Sequence, residues 1–232
     1  MPERKPQQQR GHARRQAVVE GAARVFDRVG YGGASLSDIA RESGTTQGSM
    51  YFYFPSKEEL ALAVINEQNA RTFAALAEVG AGNGSYLALI AASRVIAQHL
   101  VTDAVVRAGI RLSLDQGTLS VPTTQFYRDW IGSVGGQLAA AVAEGELRSD
   151  IDSDELGRSV VSYFTGAQLV SNVLTSREDL LSALRTMWNV LTLAIVVPER
   201  QADVSAFVEQ AFSEDSDATD LLSAASAEVE PA

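Results

Sequence analysis

Apolar residues recur at intervals of three and four along most of the chain, which is the spacing of an amphipathic α-helix. The first such helix ends at Gly30, because glycine is the residue that most often caps a helix C-terminus. No segment shows the sustained alternation of apolar and polar residues that is typical of a β-strand. The pattern therefore predicts an all-α fold. The apolar face of the first helix comprises Val18, Ala22, Val25, Phe26 and Val29.

Capping residues predict two short helices after the first one. Ser35 and Asp38 form a capping box that opens a second helix, and Thr46 can cap a third helix that runs to about Tyr53. With a turn at Gly44 between them, these two helices match a helix-turn-helix, whose second helix enters the major groove of DNA. The alternative is an ordinary corner between two helices with a polar surface.

A long fourth helix follows Pro55 and opens with a second capping box, Ser56–Glu59. The glycine-rich stretch Gly80–Gly84 ends it, and a loop is expected at Gly117–Pro122. Further helices are predicted at Tyr86–Leu100, Ala104–Leu114, Gln125–Glu144, Asp154–Thr175, Arg177–Val197 and near Val204–Phe212. We expect a disordered acidic tail after the last of them.

The charge of the chain is divided unevenly. The net charge is −10, but residues 1–57 hold nine basic against five acidic residues, while the remainder has a net charge of −14. A basic N-terminal quarter on an acidic body is expected when one small module meets a polyanion such as DNA. The alternative is a solvated surface with an accidental skew.

The composition excludes several kinds of chemistry. The chain has no cysteine, and its two histidines, His12 and His99, are far apart in sequence, so we expect no metal and no cofactor. No Ser–His–acid spacing or phosphate-binding loop is present, which argues against an enzyme. The basic N-terminus is not followed by an apolar segment, and the uncharged run Ser159–Ser176 is rich in polar residues. We therefore expect neither a secretory signal nor a membrane partner.

The third helix and its surroundings supply candidate contacts to double-stranded DNA. Hydroxyl and amide groups suit phosphate oxygens and base edges, Gln47 could pair with adenine, and Gly48 would permit close approach of the helix. The candidate DNA-binding residues are Ser35, Thr45, Thr46, Gln47, Gly48, Ser49, Tyr51, Tyr53 and Lys57.

Two sets of motifs resemble a known family. The first set resembles the N-terminal domain of tetracycline-repressor (TetR) family regulators. It comprises Ala22–Phe26, Gly30–Tyr31, Ser35–Ala40, Gly44, Gly48, Tyr51–Phe54 and Lys57–Leu60. The second set, Val105–Leu112, Phe126–Trp130 and Gly166–Gln168, resembles the γ-butyrolactone autoregulator receptors of actinomycetes, which control antibiotic production and morphological change.

The resemblance implies a helix-turn-helix domain joined by a long helix to a ligand-binding and dimerisation domain. It implies a cytoplasmic, nucleoid-associated repressor that binds a pseudo-palindromic operator as a homodimer. A small diffusible γ-butyrolactone, butenolide or furan would release it, by displacing the fourth helix. The expected domains are a flexible basic arm at 1–11, a helix-turn-helix domain at 12–57, a ligand-binding and dimerisation domain at 58–198 and an acidic tail at 199–232.

The resemblance also implies that Trp130 covers the lactone ring of the ligand; without the resemblance, plain core packing would be the favoured interpretation of this residue. Candidates to hydrogen-bond the ligand are Gln68, Tyr163, Thr165 and Gln168. Candidates to line an apolar tunnel are Leu89, Ile110, Leu114, Phe126 and Phe164.

An apolar stripe on the last two long helices could bury a core or build a four-helix dimer interface. A two-fold dimer would place two recognition helices about 34–36 Å apart, one turn of DNA. The stripe comprises Leu180, Leu181, Leu184, Met187, Trp188, Leu191 and Ile195, together with Val160, Phe164, Ala167, Val170 and Leu174.

The sequence departs from the subfamily pattern at two positions. Gln47 stands where lysine is usual and Tyr53 where histidine is frequent, so one phosphate or guanine contact is expected to be lost. Such departures also occur in pseudo-receptors that answer other signals. Two alternatives remain open: a TetR-type regulator of efflux or catabolism that responds to another hydrophobic molecule, and a helical interaction protein without a DNA role.

Overall fold

The computed structural model describes residues 4–80, 85–115, 119–120 and 124–213. These residues contain no β-strand, only an isolated antiparallel bridge between Leu147 and Val196, so the predicted all-α fold is confirmed. The helices are α1 (Arg4–Gly33), α2 (Leu36–Glu42), α3 (Gln47–Tyr53), α4 (Lys57–Gly80), α5 (Ser85–Thr102), α6 (Ala104–Leu114), α7 (Thr124–Ala143), α8 (Ser153–Thr175), α9 (Leu180–Ile195), a 3-10 helix (Pro198–Arg200) and α10 (Gln201–Ala211).

The contacts within the chain define two compact units. The N-terminal unit comprises Met1–Phe73 and Thr102–Thr124, and the C-terminal unit comprises Ala74–Val101 and Gln125–Ala232. The boundary expected at residues 57 and 58 therefore differs from the observed division. The physical reason is that α6 and the first half of α4 bury their apolar residues in the core of the N-terminal unit, although they follow it in sequence.

Helix α1 is longer than the sequence indicates. We expected residues 1–11 to form a flexible arm, but α1 begins at Arg4, so most of that segment is helical. Gly30 adopts a left-handed φ of 72° and kinks the helix, at the residue where the sequence predicted its end. Val29, assigned above to the buried face, is 45% exposed because it lies in the last turn before this kink.

The predicted caps of the two short helices are present. The backbone nitrogen of Asp38 donates to Ser35 Oγ at 3.1 Å, and the nitrogen of Ser49 donates to Thr46 Oγ1 at 3.2 Å. Such bonds satisfy amide groups that the first turn of a helix leaves unpaired. The core of the unit is built around fully buried side chains, among them Phe26, Ile39, Met50, Leu60 and Val64.

The C-terminal unit differs from the sequence predictions at the start of one helix. Helix α9 begins at Leu180 rather than Arg177, because Ser176 and Arg177 have positive φ angles and turn the chain. The helix predicted near Val204–Phe212 is present as α10 and buries Val204 and Phe207, so the segment expected as an acidic tail at 199–232 begins with a packed helix. The expected disordered tail at 214–232, and most of the expected loops at 80–84 and 117–122, lie outside the described residues.

Among the described residues, no single helix is long and apolar enough to cross a membrane. One bent pair, Tyr86–Thr102 with Ala104–Leu114, meets that test jointly by length and composition alone.

Helices α7 and α8 approach each other closely at a pair of glycines. A Cβ atom added to Gly157 would lie 2.8 Å from the backbone nitrogen of Gly135 and 3.1 Å from the carbonyl oxygen of Ile131. Both neighbours are backbone atoms, so a methyl group at residue 157 fits only if one helix moves.

We expect Gly157→Ala to destabilise the protein by about 1–3 kcal/mol, because overpacking forces the backbone to shift. The matched control is Gly136→Ala, on the exposed side of α7, where an added Cβ meets nothing within 4 Å. That change should stabilise the fold by about 1 kcal/mol through helix propensity. Urea unfolding at one fixed protein concentration measures both; equal effects of the two substitutions would contradict the close crossing.

Candidate functional site

The N-terminal unit presents α3 as an exposed helix. Met50 is fully buried and anchors α3 on the core, while the residues on the opposite side face solvent. Of the predicted DNA-binding residues, Thr46, Gln47, Gly48 and Tyr51 are exposed, and Ser35, Thr45, Ser49, Tyr53 and Lys57 are partly buried. The structure thus gathers the candidates around one short helix, with unequal access to a partner.

The hydroxyl of Ser35 is used mainly within the protein. Ser35 Oγ caps α2, lies 2.5 Å from Asp38 Oδ2 and 2.8 Å from Ser37 Oγ. The hydrogen bond from Ser35, followed by that from Arg41, holds the pKa of the Asp38 carboxyl below its usual value. Asp38 stays ionised at neutral pH and fixes the start of α2.

The ammonium group of Lys57 is also bound internally. Lys57 Nζ donates to the carbonyl oxygens of Tyr31 at 2.9 Å and Ala34 at 3.0 Å, and lies 4.4 Å from the centre of the Tyr31 ring. An ammonium group has three protons, and these bonds use two of them. Lys57 therefore fastens the turn between α1 and α2 to the start of α4, which the sequence did not predict.

One exposed residue of α3 is absent from the sequence-based candidates. Phe52 is 83% exposed, more than any other large apolar side chain of the described residues. Its position, four residues after Gly48 on a seven-residue helix, could have identified it as outward-facing once Met50 was taken as the buried side.

Part of the positive charge of the unit is neutralised locally. Arg24 Nε lies 2.8 Å from Glu42 Oε1, and Arg28 Nη1 lies 3.8 Å from Glu42 Oε2. Arg41 forms an ion pair with Asp38. Arg10 and Arg14 are exposed and form no ion pair with another described residue. Among the side chains that the structure describes, these two arginines are the least committed positive charges of α1.

Helix α6 is fastened to α1 by charged groups. Arg107 Nε lies 2.8 Å from Asp27 Oδ2, and Arg111 Nη1 donates to the carbonyl oxygen of Asp27 at 2.9 Å. At its other end, α6 is capped by Asp103, which also pairs with Arg71 of α4 at 2.6 Å. The helix is thus held at both ends within the N-terminal unit.

The C-terminal unit contains a small apolar cavity of about 30 Å³. The ring of Trp130 forms one wall, and Phe164 packs edge-on against it with ring centroids 5.6 Å apart. A cavity of this size has room for one or two water-sized molecules. It is lined by Leu89, Ala92, Ser93, Ile96, Trp130, Val134, Val160, Val161, Phe164 and Trp188.

The structure brings only some of the predicted ligand-binding residues together. Leu89, Trp130 and Phe164 line the cavity, and the ring centroid of Phe126 lies 5.7 Å from that of Trp130. Tyr163 does not contribute, because it is on the outer side of α8 and 43% exposed. Gln68, Ile110 and Leu114 belong to the N-terminal unit instead.

Two buried glutamines have unsatisfied amide atoms. Neither amide atom of Gln168, which is 2% exposed, has a hydrogen-bond partner among the described residues. Gln68 donates from Nε2 to Thr72 Oγ1 at 2.9 Å, but its Oε1 is unpaired. A buried amide atom without a hydrogen bond to the protein is costly to bury. Thr165 is half-buried on α8.

Sequence reasoning missed two polar residues that line the cavity, Ser93 and Trp188. Trp188 Nε1 donates to Ser93 Oγ at 2.7 Å, and Ser93 Oγ donates to the carbonyl oxygen of Ile90 at 2.7 Å. Tyr86 packs edge-on against Trp188, and burial raises the pKa of its hydroxyl. Ser93 follows Leu89 by four residues on α5, and this spacing was the available signal.

The apolar stripe predicted on α8 and α9 divides into two faces. Val160, Phe164, Leu180, Leu184, Met187, Trp188 and Ile195 are buried within the unit, so they build the core and are not available to a partner. Val170 and Leu174 are exposed, and Ala167, Leu181 and Leu191 are half-buried. The exposed strip, as we name it, comprises Tyr163, Leu169, Val170, Val173, Leu174, Val190 and Leu193.

No group of three histidine, aspartate or glutamate side chains in the described ranges is arranged to hold a metal ion.

Comparison with known proteins identifies both parts of the chain. Residues 18–64 match the family of bacterial regulatory proteins named after tetR, and residues 83–198 match a tetracycline-repressor-like C-terminal domain. The A-factor receptor protein of Streptomyces griseus is 31% identical over 198 residues, which cover 82% of this chain and 69% of that protein.

Two solved structures are similar over most of their length. The crystal structure of a γ-butyrolactone receptor (ArpA-like protein) has a TM-score of 0.76 and 27% identity, covering 88% of this chain and 98% of that one. The complex of the TetR family protein CprB from Streptomyces coelicolor with its operator sequence has a TM-score of 0.73 and 30% identity, covering 86% and 96%. The chain therefore belongs to the TetR family of bacterial transcriptional regulators, within its γ-butyrolactone autoregulator receptor subfamily.

Proposed function

We propose that this regulator is a repressor that binds a pseudo-palindromic operator at the nucleoid as a homodimer and releases it when a small hydrophobic signal enters the C-terminal unit. The single observation that supports this most is the occurrence, in one chain, of an exposed recognition helix and an apolar cavity walled by Trp130. A γ-butyrolactone, butenolide or furan is the proposed signal, and antibiotic production is the proposed output.

The α3 surface supports operator binding. Gln47 and Tyr51 place an amide and a phenol on the exposed side, where they can meet base edges and phosphates. A Cβ atom added to Gly48 would have no other atom within 4 Å, so no side chain prevents this part of the helix from approaching a DNA groove. The unpaired Arg10 and Arg14 supply charge for the DNA backbone.

The cavity supports a neutral, mainly hydrophobic ligand. Among the residues that the structure describes, the lining contains no ionised group, and its polar side-chain atoms Ser93 Oγ and Trp188 Nε1 are hydrogen-bonded to each other. At about 30 Å³ the cavity is too small for a lactone with an acyl chain, so the walls around Trp130 must move when such a ligand enters. A cationic effector, as expected for many efflux regulators, would find no carboxylate there.

The chain itself supplies a route from the ligand to the DNA-binding helices. Helix α5 lines the cavity through Leu89, Ala92, Ser93 and Ile96, and only Asp103 separates it from α6. Helix α6 follows α5 in the chain and is held on α1 by the ion pair and hydrogen bond described above. A displacement of α5 would therefore pull on α6 and, through it, on the unit that holds α3. The ligand would shift the equilibrium by its greater affinity for the displaced state.

The exposed strip on α8 and α9 supports dimerisation. Val173 is 80% exposed and Leu174 is 72% exposed, next to further apolar side chains of the strip. Soluble monomers rarely expose contiguous apolar patches of this kind, whereas homodimer interfaces consist of them. A two-fold axis through the strip would pair α8 and α9 with their copies in a four-helix bundle.

Operator binding should depend strongly on salt and on Tyr51. We expect Tyr51→Ala to weaken binding to the operator at least tenfold, because it removes an exposed ring and hydroxyl from α3 while leaving the fold intact. Fluorescence anisotropy on a fragment of its own promoter, repeated at several salt concentrations, measures both effects. Retention of full affinity, or indifference to salt, would count against α3 as the DNA-binding helix.

Release by the signal should depend on Trp130. We expect Trp130→Ala to abolish release by butyrolactones, butenolides and furans while sparing operator binding, because the indole forms a wall of the cavity. Trp130→Phe keeps an aromatic wall and should retain partial release. Mobility shift with added ligand measures this, and unchanged release by the alanine variant would remove Trp130 from the ligand site.

Dimerisation should depend on the exposed strip. We expect Leu174→Glu to give monomers, because a charge within an apolar interface is costly to bury. Arg158→Glu, an exposed position on α8 outside the strip, is the control and should leave the dimer intact. Light scattering after size-exclusion chromatography reports the mass; a dimeric Leu174→Glu variant would place the interface elsewhere.

A further inference from the structure

Phe52 is exposed in a way that packing within the chain does not explain. At 83% exposure it contributes almost nothing to the core, and its ring meets that of its neighbour Tyr53 edge-on, with the centroids 5.2 Å apart. Large apolar side chains isolated on a surface are common. This one, however, occupies the helix that the fold presents to DNA.

The position of Phe52 on α3 is central. Met50 is fully buried, and residues two positions to either side of it point away from the core, which makes Gly48 and Phe52 the middle of the exposed face. Gly48, one turn earlier, has no side chain, and no atom lies within 4 Å of the position that its Cβ would occupy. The ring of Phe52 and the bare backbone at Gly48 together form an apolar spot at the centre of α3.

We infer that Phe52 is a specificity-determining residue that contacts the 5-methyl group of a thymine in the operator. The inference rests on the proposed function, in which α3 enters the major groove. Of the four bases, only thymine presents an apolar group on that edge of the duplex. A phenylalanine ring has no hydrogen-bonding group with which to bind a phosphate or another base edge. The bare Gly48 lets the helix come close enough for ring and methyl to touch.

The flanks of the exposed face fit this arrangement. Gln47 and Tyr51 are exposed beside the apolar spot and can form hydrogen bonds with neighbouring base edges or phosphates. The amide of Gln47 suits adenine, the partner of thymine in its base pair. The face thus combines one apolar contact at its centre with polar contacts around it, and Phe52 would select thymine rather than add general affinity.

The test uses the full chain and an operator duplex selected from random sequences. Each thymine of a half-site is replaced in turn by deoxyuridine, which lacks only the methyl group. We expect one replacement per half-site to weaken binding by the wild type about three- to tenfold, since each buried methyl group contributes modestly. Phe52→Ala should lose a similar factor on the parent duplex, and should lose nothing further on that uridine duplex.

Two control variants separate the contact from general effects. Phe52→Leu retains an apolar side chain and should keep most of the discrimination between thymine and uridine. Tyr51→Phe removes a hydroxyl that is proposed to bind DNA, so it should weaken binding to the thymine and uridine duplexes by the same factor, because Tyr51 lies off the central spot. Thermal unfolding checks that each variant is folded, which the exposure of both positions favours.

The outcomes distinguish this inference from the proposed function. If the replacement of thymine by uridine weakens binding by the Phe52→Ala variant as much as binding by the wild type, Phe52 does not contact a methyl group. The same conclusion follows if no such replacement weakens binding by the wild type. Equal losses for Phe52→Ala on every duplex, with the uridine effect preserved, would indicate a contact to the sugar–phosphate backbone. Failure of the wild type to bind any selected duplex would instead overturn the proposed operator binding.

Discussion

Helix α1 is the packing surface on which the N-terminal unit depends. Val18, Ala22, Val25 and Phe26 are almost completely buried, and the helices that pack on α1 include both α2 and α6. The same helix therefore positions the recognition motif and receives the helix that continues from the cavity wall. Because protein interiors are close-packed, α6 cannot shift on α1 without a response from the residues on its other side. The ion pair between Arg107 and Asp27 adds a fixed point to this contact.

The sequence predicted what is decided locally. Ser35 and Thr46 cap their helices as expected, because a capping bond depends on residues only three positions apart. The recognition motif was found for the same reason. By contrast, the packing of α6 on the N-terminal unit was not predicted, since nothing in its own pattern tells which core receives its apolar face. Lys57 was a candidate for contact with DNA, and only the folded chain places two carbonyl oxygens beside its ammonium group.

The candidate ligand site was harder to predict than the recognition helix. Three of the predicted ligand-binding residues, Leu89, Trp130 and Phe164, line one cavity, but Tyr163 lies on the outer side of the same helix as Phe164, next to it in sequence. Sequence periodicity shows which positions of a helix are apolar, but it does not show which of them are buried in the core of the chain and which face solvent. For that reason the stripe on α8 and α9 was taken as one surface, although it consists of a core side and an exposed strip.

The small volume beside Trp130 has a consequence for how a cell would use such a regulator. Under the proposed function, an interior that is nearly filled by its own side chains favours the conformer without ligand, so release of DNA by unrelated metabolites would be rare. An incoming molecule would have to offset the free energy of repacking before it gained from its contacts. Its apparent affinity would be lowered by that amount, so a higher concentration would be needed to occupy half of the protein. Mutations that enlarge the cavity would then be expected to lower this concentration and to broaden the range of accepted molecules.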